Sequence, residues 1–212
     1  MEHAFVINLK EKKHRWDRIK KEFEGTHLKL HRIEAIKKNP GSYGLLLTFI
    51  KILKVAIQNE YSNILILEDD CKVIPGWKER WTIIKEWLAK HPDKWDIYSG
   101  GSMKNRNPNY IGSLNSLSFF IPYTSRSTHW IYIPKRCYKT LLQLYESHMV
   151  VTQFNPTVGV DVLHNMIKRV ISYPYLAYQH DGHSSLTKKV RKLQPIFKRA
   201  ELQLSRTRKR HS

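Results

Sequence analysis

The chain has 212 residues, 41% of them apolar, which is enough for one sizeable core but short for two domains. Its formal net charge of +19 requires an acidic partner, such as nucleic acid, anionic lipid or a nucleotide-bearing substrate. Cys71 and Cys137, far apart in sequence, support neither a disulfide framework nor a zinc cluster. No signal-peptide pattern and no apolar run of membrane-spanning length is evident, so we expect a soluble, cytoplasmic protein.

The first half of the chain alternates strand and helix patterns. Residues 4–9 read as a strand, and Trp16, Ile19 and Phe23 then follow at helical spacing. Further strands are expected at residues 28–36, 64–67 and 95–98, with helices at about 43–58 and 77–88 between them. The order β-α-β-α-β-α-β predicts an α/β fold with a mainly parallel central sheet flanked by helices.

The second half is less regular. Residues 103–127 carry Asn and Ser clusters around an apolar core, which predicts a mobile insertion or an antiparallel edge of the sheet. A strand at 130–133, a helix bearing Tyr138, Leu141 and Tyr145, and a short helix at 160–167 follow. We therefore expect one main domain over residues 1–187 and a basic, helical C-terminal tail over residues 188–212.

The stretch Ile64-Leu65-Ile66-Leu67-Glu68-Asp69-Asp70 carries the strongest functional signal. An aliphatic run of strand length ends in three carboxylates, and in open α/β sheets ligands bind at the carboxyl ends of strands. Strand geometry would send Glu68 and Asp70 to one side and Asp69 to the other. Two convergent carboxylates suit Mg²⁺ or Mn²⁺ with a diphosphate completing the shell. The alternative is an acidic turn exposed to solvent.

Two other places could carry chemistry. The polar run from His180 to Ser185 could supply a histidine to a metal, or it could be a solvated loop. Asp161, at the start of a short helix, could be a general base or a residue that stabilises the first helical turn. P-loop, dinucleotide-binding and serine-hydrolase motifs are absent, so a metal and Lys or Arg side chains would have to neutralise any phosphate.

In combination these motifs resemble glycosyltransferase family 25, the lipopolysaccharide-biosynthesis and procollagen galactosyltransferase-like enzymes. The resemblance covers residues 5–185 and begins with Val6-Ile7-Asn8-Leu9, Arg15 and Arg18. It continues through Ala35, Gly44, Thr48 and Lys51 to the Ile-Leu-Glu-Asp-Asp motif, then to residues 128–133 and Val160-Asp161. The chain departs from the family at Gly44-Leu45 and Thr48-Phe49, where members commonly show Gly-Cys and Ser-His, so the sugar choice stays open.

This resemblance implies a GT-A fold and transfer of a hexose, galactose or glucose, from a UDP-sugar to a hydroxyl of a glycan or glycoprotein. Inversion at the anomeric carbon is implied as well. It implies Mn²⁺ or Mg²⁺ held by Glu68, Asp70 and His183, and a general base at Asp161 with Asp181 as the second choice. The donor-binding residues that it implies are Asn8, Arg15, Arg18, Ala35, Thr48, Lys51, Glu68 and Asp69. For Arg15 and Arg18, a plain solvated helix face is an equal alternative.

Two other classes of function remain open on the sequence. A metal-dependent nuclease or phosphoesterase would also use clustered acids and a positive surface, but it usually needs more acids. A non-catalytic nucleic-acid-binding module would rest on the charge alone, and we expect nucleic acid to be an unlikely partner. The basic tail could hold the enzyme peripherally against an anionic membrane, or it could be an ordinary solvated helix.

Overall fold

A computed structural model describes residues 2–183 and 190–210, with the backbone alone for residues 183, 190 and 191. The strands are β1 Glu2–Asn8, β2 Leu28–Glu34, β3 Asn63–Glu68, β4 Cys71–Val73, β5 Ile97–Ser99, β6 Lys104–Leu114, β7 Leu117–Arg126, β8 Trp130–Pro134, β9 Arg169–Tyr173, β10 Ala177–Gln179, β11 Gly182–His183 and β12 Val190–Arg191. The helices are α1 Lys13–Glu22, α2 Gly41–Gln58, α3 Trp77–Lys90, α4 Tyr138–Ser147, α5 Met149–Phe154, α6 Val160–Leu163 and α7 Gln194–Arg208.

Eight strands form the central sheet, in the order β2-β1-β3-β8-β5-β9-β7-β6. Strand β1 is parallel to β2 and β3, and β5 is parallel to β9. Strand β8 is antiparallel to both β3 and β5, and β7 is antiparallel to both β9 and β6. Six of the eight strands therefore point in one direction, with β8 and β7 reversed. The predicted α/β class with a mainly parallel sheet is confirmed.

The sheet is buried on both faces, which explains the uninterrupted aliphatic run of β3. Leu65 and Leu67 pack on one face with Trp81 and Trp87 of α3. Ile64 and Ile66 pack on the other face with residues of α2 and α4. Because successive side chains of a strand point to opposite faces, a strand covered on both sides must be apolar at every position.

Helix α2 is an 18-residue apolar helix, with a mean hydropathy of 1.3 and 44% of its residues buried. Its length and composition would allow it to cross a membrane, whereas we expected no apolar segment of that length from the sequence. Helices in the cores of soluble proteins pass the same test, so this is weak evidence for a membrane span. Phe49, Ile52 and Leu53 of this helix pack against the sheet, which accounts for its apolar character.

The far edge of the sheet is the β6-β7 hairpin, so the irregular segment 103–127 forms an antiparallel edge. Helix α7 covers part of this edge with three buried residues, Phe197, Ala200 and Leu204. The side chain of Asn105 in β6 donates a hydrogen bond of 3.1 Å to the Ala200 carbonyl. The expected basic C-terminal helix is present, and its inner face is joined to the domain by these contacts.

Candidate functional site

The middle acid of the acidic motif, Asp69, turns towards β1 and α1. The Asn8 amide donates a 2.7 Å hydrogen bond to Oδ2 of Asp69, and Arg15 forms a 3.0 Å ion pair with Oδ1. Asp69 is 8% exposed, so this carboxylate is buried with a cationic partner. Loss of either partner would leave the other charge buried without compensation, so the pair ties β3 to α1.

The outer acids, Glu68 and Asp70, have no cationic partner within hydrogen-bonding distance in the described parts of the chain. Thr128 Oγ1 donates to Glu68 Oε1 at 2.5 Å, and Gln179 Nε2 donates to Asp70 Oδ1 at 3.2 Å. Within residues 2–183 and 190–210 neither carboxylate forms an ion pair.

The pKa values of both outer carboxyl groups reflect their burial without an ion pair in the described residues. Burial raises the pKa of Glu68, and the negative charge of Asp70 raises it further. Burial likewise raises the pKa of Asp70, with the charge of Asp69 adding to the effect. Two neighbouring acids that are both hard to ionise form a place where an added cation would be strongly favoured.

Arg15 and Arg18 lie half-buried on the face of α1 that meets these acids. Arg18 Nη2 donates to the Asp69 carbonyl at 3.3 Å. The positive charges of both arginines oppose the upward shift of the Asp70 pKa, so they act on the same acidic site. This placement differs from a freely solvated helix face, and it suits binding of a phosphate group beside the carboxylates.

A cleft of about 390 Å³ lies at the carboxyl ends of β1 and β2. Its lining contains two of the predicted donor-binding residues, Ala35 and Lys51, together with Leu9, Lys10, Glu11, Glu34, Ile36 and Lys37. A second cleft, of about 500 Å³, lies at the amino ends of β1 and β3, where Glu2 and Asn63 are among its lining residues. The acidic motif is at the same edge of the sheet as the first cleft and opposite to the second.

Asn8 and Thr48, also predicted to bind the donor, are occupied by contacts within the protein. Asn8 is 1% exposed, and its Oδ1 accepts hydrogen bonds from Arg32 while its amide group donates to Asp69 and to the Lys12 carbonyl. Thr48 Oγ1 accepts from the Ile36 amide at 3.0 Å and donates to the Gly44 carbonyl at 2.8 Å. Both side chains hold the backbone that forms the cleft.

The two candidate bases differ in their surroundings. Asp161 is half-buried in the first turn of α6, and its negative charge contributes to the raised pKa of Glu68. Asp181 is exposed, and its Oδ1 accepts hydrogen bonds from the amides of Leu193 and Gln194 at 2.6 and 3.2 Å. Asp181 therefore caps helix α7, whereas Asp161 acts electrostatically on the acidic site.

The side chain of His183, predicted as a metal ligand, lies outside the described residues. The structure instead places His180 beside the acidic motif, since its amide donates to the Asp70 carbonyl at 2.7 Å. Burial, with the nearby charge of Arg18, lowers the pKa of His180 to about 4, so its ring is neutral at pH 7. Its Nε2 is buried and has no hydrogen-bond partner among the described residues. The pairing of β10 with β4 creates this contact, and no pattern in the sequence predicts that pairing.

Thr128 and Gln179, which hold the outer carboxylates, were not predicted as site residues. Thr128 precedes β8, the antiparallel strand beside β3, and Gln179 ends β10. Only the Thr128-His129-Trp130 part of the family resemblance pointed to this region. No group of three or more possible metal ligands occurs among residues 2–183 and 190–210. Glu68 and Asp70 still match the usual protein share of a Mg²⁺ or Mn²⁺ shell, which is one or two carboxylates.

No protein-family model matches the chain, and no curated protein matches it in sequence either. The resemblance to glycosyltransferase family 25 therefore stays a prediction. Solved structures with similarity include A197 from STIV, at 11% identity and a TM-score of 0.46, with 90% of this chain and 93% of that chain covered.

Two further similar structures are glycosyltransferases. One is involved in glycosylation of the major capsid of PBCV-1, with 11% identity, a TM-score of 0.43, and 74% and 76% of the two chains covered. The other is mouse xyloside xylosyltransferase 1, with 10% identity, a TM-score of 0.40, and coverage of 76% of this chain and 62% of that one. Scores below 0.5 carry no argument about function, which rests on the geometry of the site.

Proposed function

We propose that this protein is a metal-dependent glycosyltransferase that moves a hexose from a UDP-sugar to a hydroxyl of a glycan or glycoprotein. The observation that carries the proposal is the pair of outer acids at the carboxyl end of β3. Asp69 between them has Arg15 as its counter-ion, whereas Glu68 and Asp70 have hydrogen-bond donors but no ion pair in the described residues. A divalent cation with a diphosphate would supply the missing positive charge and complete its shell from phosphate oxygens and water.

The donor would lie along the edge of the sheet that carries these acids. In this arrangement the cleft lined by Ala35 and Lys51 receives the nucleoside part. Arg15 and Arg18, half-buried beside Asp70, face the diphosphate. The path from cleft to acids follows the carboxyl ends of β2, β1 and β3, which are adjacent in the sheet. Lysine and arginine side chains here replace the glycine-rich phosphate loops that the chain lacks.

The chemistry needs a leaving group that can carry negative charge and a base for the acceptor. When bound, Mn²⁺ or Mg²⁺ would act as a Lewis acid that neutralises the departing UDP. Arg15 and Arg18 would add positive charge on the same side. Asp161 is the candidate base that accepts the proton of the acceptor hydroxyl, and direct displacement would invert the anomeric carbon.

Calorimetry of UDP binding, with and without Mn²⁺ and at moderate salt, tests the proposal. The parent protein should bind UDP much more tightly with Mn²⁺ than without it. Asp70→Asn should abolish that difference, because it removes one of the two cation ligands. Asp93→Asn is the matched control, since Asp93 is an exposed acid away from the site, and it should behave like the parent.

Two results would contradict the proposal: UDP binding that ignores Mn²⁺, or equal Mn²⁺ dependence in the parent and in Asp70→Asn. A positive result leads to a screen of UDP-sugars for metal-dependent donor hydrolysis. In that screen, UDP-galactose and UDP-glucose are the first substrates to compare.

A further inference from the structure

Arg169, the first residue of β9, carries a buried positive charge with no acidic ion-pair partner among the described residues. It is 1% exposed, and its Nη1 has no hydrogen-bond partner in the part of the chain that the structure describes. Its Nε donates to Ser99 Oγ at 2.7 Å, and its Nη2 donates to the carbonyl of Ser127. Burying a charge without a counter-ion costs free energy. We therefore expect the contacts of Arg169 to have a structural or functional role.

Ser127 has an unusual backbone conformation. Its φ of +133° lies in a region that residues with a side chain rarely adopt, so this conformation costs free energy. The contacts around it offset that cost, since Arg169 holds the Ser127 carbonyl and the Ser127 hydroxyl contacts His129 Nδ1.

His129 anchors the other end of the same turn. Its Nε2 lies 3.1 Å from the Ala177 carbonyl, which can only accept a hydrogen bond. Nε2 therefore carries the proton of the ring. Nδ1 is then an acceptor for the Ser127 hydroxyl. The turn formed by residues 127–129 is therefore fixed at both ends.

Thr128, in the middle of this turn, reaches the acidic site. Its Oγ1 donates to Glu68 Oε1, and the carbonyl of His129 accepts a 3.1 Å hydrogen bond from the Glu68 amide. The turn thus sets the direction of the Glu68 carboxylate. A rotation of the Ser127 carbonyl away from Arg169 would move Thr128 with it.

We propose that Arg169 is a positioning residue for the cation site: it holds the turn of residues 127–129 so that Thr128 orients Glu68. This inference rests on the proposed function, because it assumes that Glu68 binds a divalent cation. Outer contacts of this kind orient metal ligands, and their loss typically lowers metal affinity about 10- to 100-fold.

Titration with Mn²⁺ alone, followed by electron paramagnetic resonance of the free ion, tests this inference without any turnover. Arg169→Lys keeps the positive charge but loses the fork that reaches both Ser99 and Ser127. We expect it to weaken Mn²⁺ binding by about 10-fold or more. Thr128→Val should give a similar loss, because it removes the donor to Glu68 at nearly constant volume.

A second substitution separates positioning from a general loss of structure. Ser127→Ala removes the hydroxyl that contacts His129 Nδ1 and leaves the Thr128 donor in place, so it should also weaken Mn²⁺ binding, with the circular dichroism spectrum and melting of the parent. Tyr98→Phe is the matched control, since it removes a buried hydrogen bond to Ser172 Oγ without touching the turn. It should bind Mn²⁺ like the parent.

The inference fails if a folded Arg169→Lys variant binds Mn²⁺ as the parent does, or if Ser127→Ala does. If Arg169→Lys does not fold, Thr128→Val decides alone, and parental affinity in that variant overturns the inference. A parent protein that binds no Mn²⁺ would instead refute the proposed function and the inference with it. The two failures are therefore distinguishable.

Discussion

The three consecutive acids differ in role because their side chains contact different neighbours: these are Glu68, Asp69 and Asp70. Asp69 is paired with Arg15 and held by Asn8, so it supports the junction of β1, β3 and α1. Glu68 and Asp70 are held by neutral donors, Thr128 and Gln179, which orient a carboxylate without neutralising it. The negative charges of the outer acids, without a counter-ion in the described residues, lower the stability of the folded protein. A bound cation would supply the counter-ion and raise that stability.

A neutral residue in place of Glu68 should stabilise the metal-free protein. The folded-state pKa of Glu68 lies above its ordinary value of 4.5, so the folded chain binds more protons than the unfolded chain as the pH rises through 4.5. Stability contributed by protonated Glu68 is present below 4.5 and is lost as the pH rises towards the folded-state pKa. We expect Glu68→Gln to melt at a higher temperature than the parent at pH 8, and at nearly the same temperature at pH 4.5.

Thermal denaturation in the presence of EDTA, followed by circular dichroism at both pH values, measures this difference. Each kcal/mol corresponds to about 2–4 °C for a chain of this size. Addition of Mn²⁺ should stabilise the parent but not the variant. A variant that melts below the parent at pH 8 would show that the Glu68 charge is compensated within the protein.

Asp161 and Asp181 offer a direct comparison of a candidate base with a capping residue. Asp161→Asn should reduce glycosyl transfer by about 10²- to 10⁴-fold and change Mn²⁺-dependent UDP binding far less, because a base acts on the acceptor proton and Asp161 contributes least to the raised pKa of Glu68. Asp181→Ala should leave transfer largely unchanged and lower stability by about 1 kcal/mol, because it removes the cap of α7. Initial rates and denaturant unfolding of both variants measure this, and the reversed pattern would exchange the two assignments.

At the scale of elements, helix α7 combines a basic outer face with an apolar inner face. The outer face carries Lys198, Arg199 and Arg206, all exposed. On the inner face, Phe197 and Leu204 belong to a buried cluster with Phe120, Ile171 and Tyr175. The helix therefore depends on tertiary packing, since a short isolated helix of this composition would be marginal in water.

Neighbouring residues of α7 allow a matched test of this packing. Phe197 is fully buried and Ile196 is 44% exposed. Phe197→Ala should cost about 3–5 kcal/mol through loss of buried surface and the cavity that it leaves. Ile196→Ala should stay within about 0.5 kcal/mol of the parent. Urea unfolding of both variants measures the difference, and equal effects would mean that α7 is not packed as described.

At the scale of the whole molecule, the net charge of +19 and the acidic site make separate contributions to ligand binding. The surface charge attracts any polyanion, and salt screens that attraction over a Debye length of about 10 Å at 0.1 M. A cation bound between Glu68 and Asp70 would act at contact distance, where screening is weak. Salt dependence should therefore separate general attraction from specific binding.

We expect binding of a mixed-sequence DNA duplex to disappear between 0.1 and 0.5 M NaCl, as counter-ion release requires. Mn²⁺-dependent binding of UDP should fall only a few-fold over the same range, because most of its energy comes from the site. Parallel titrations at both salt concentrations measure this. A DNA affinity that survives high salt, with UDP binding that does not, would favour the nucleic-acid-binding alternative.

The sequence by itself determined the α/β class, most of the alternating strands and helices as far as β5, and the acidic end of β3. These features depend on local periodicity and on an aliphatic run that only a strand buried on both faces requires. Alternation along the strand also predicted that Asp69 would turn away from Glu68 and Asp70.

The tertiary structure alone decided which distant residues meet the acids. Thr128, Gln179 and His180 reach the site through the pairing of β8 with β3 and of β10 with β4. Antiparallel pairing between segments about 60 to 110 residues apart leaves no periodic trace, because it depends on the packing of the whole sheet. For the same reason Asn8 and Thr48, predicted to bind a ligand, turned out to be held in contacts within the protein.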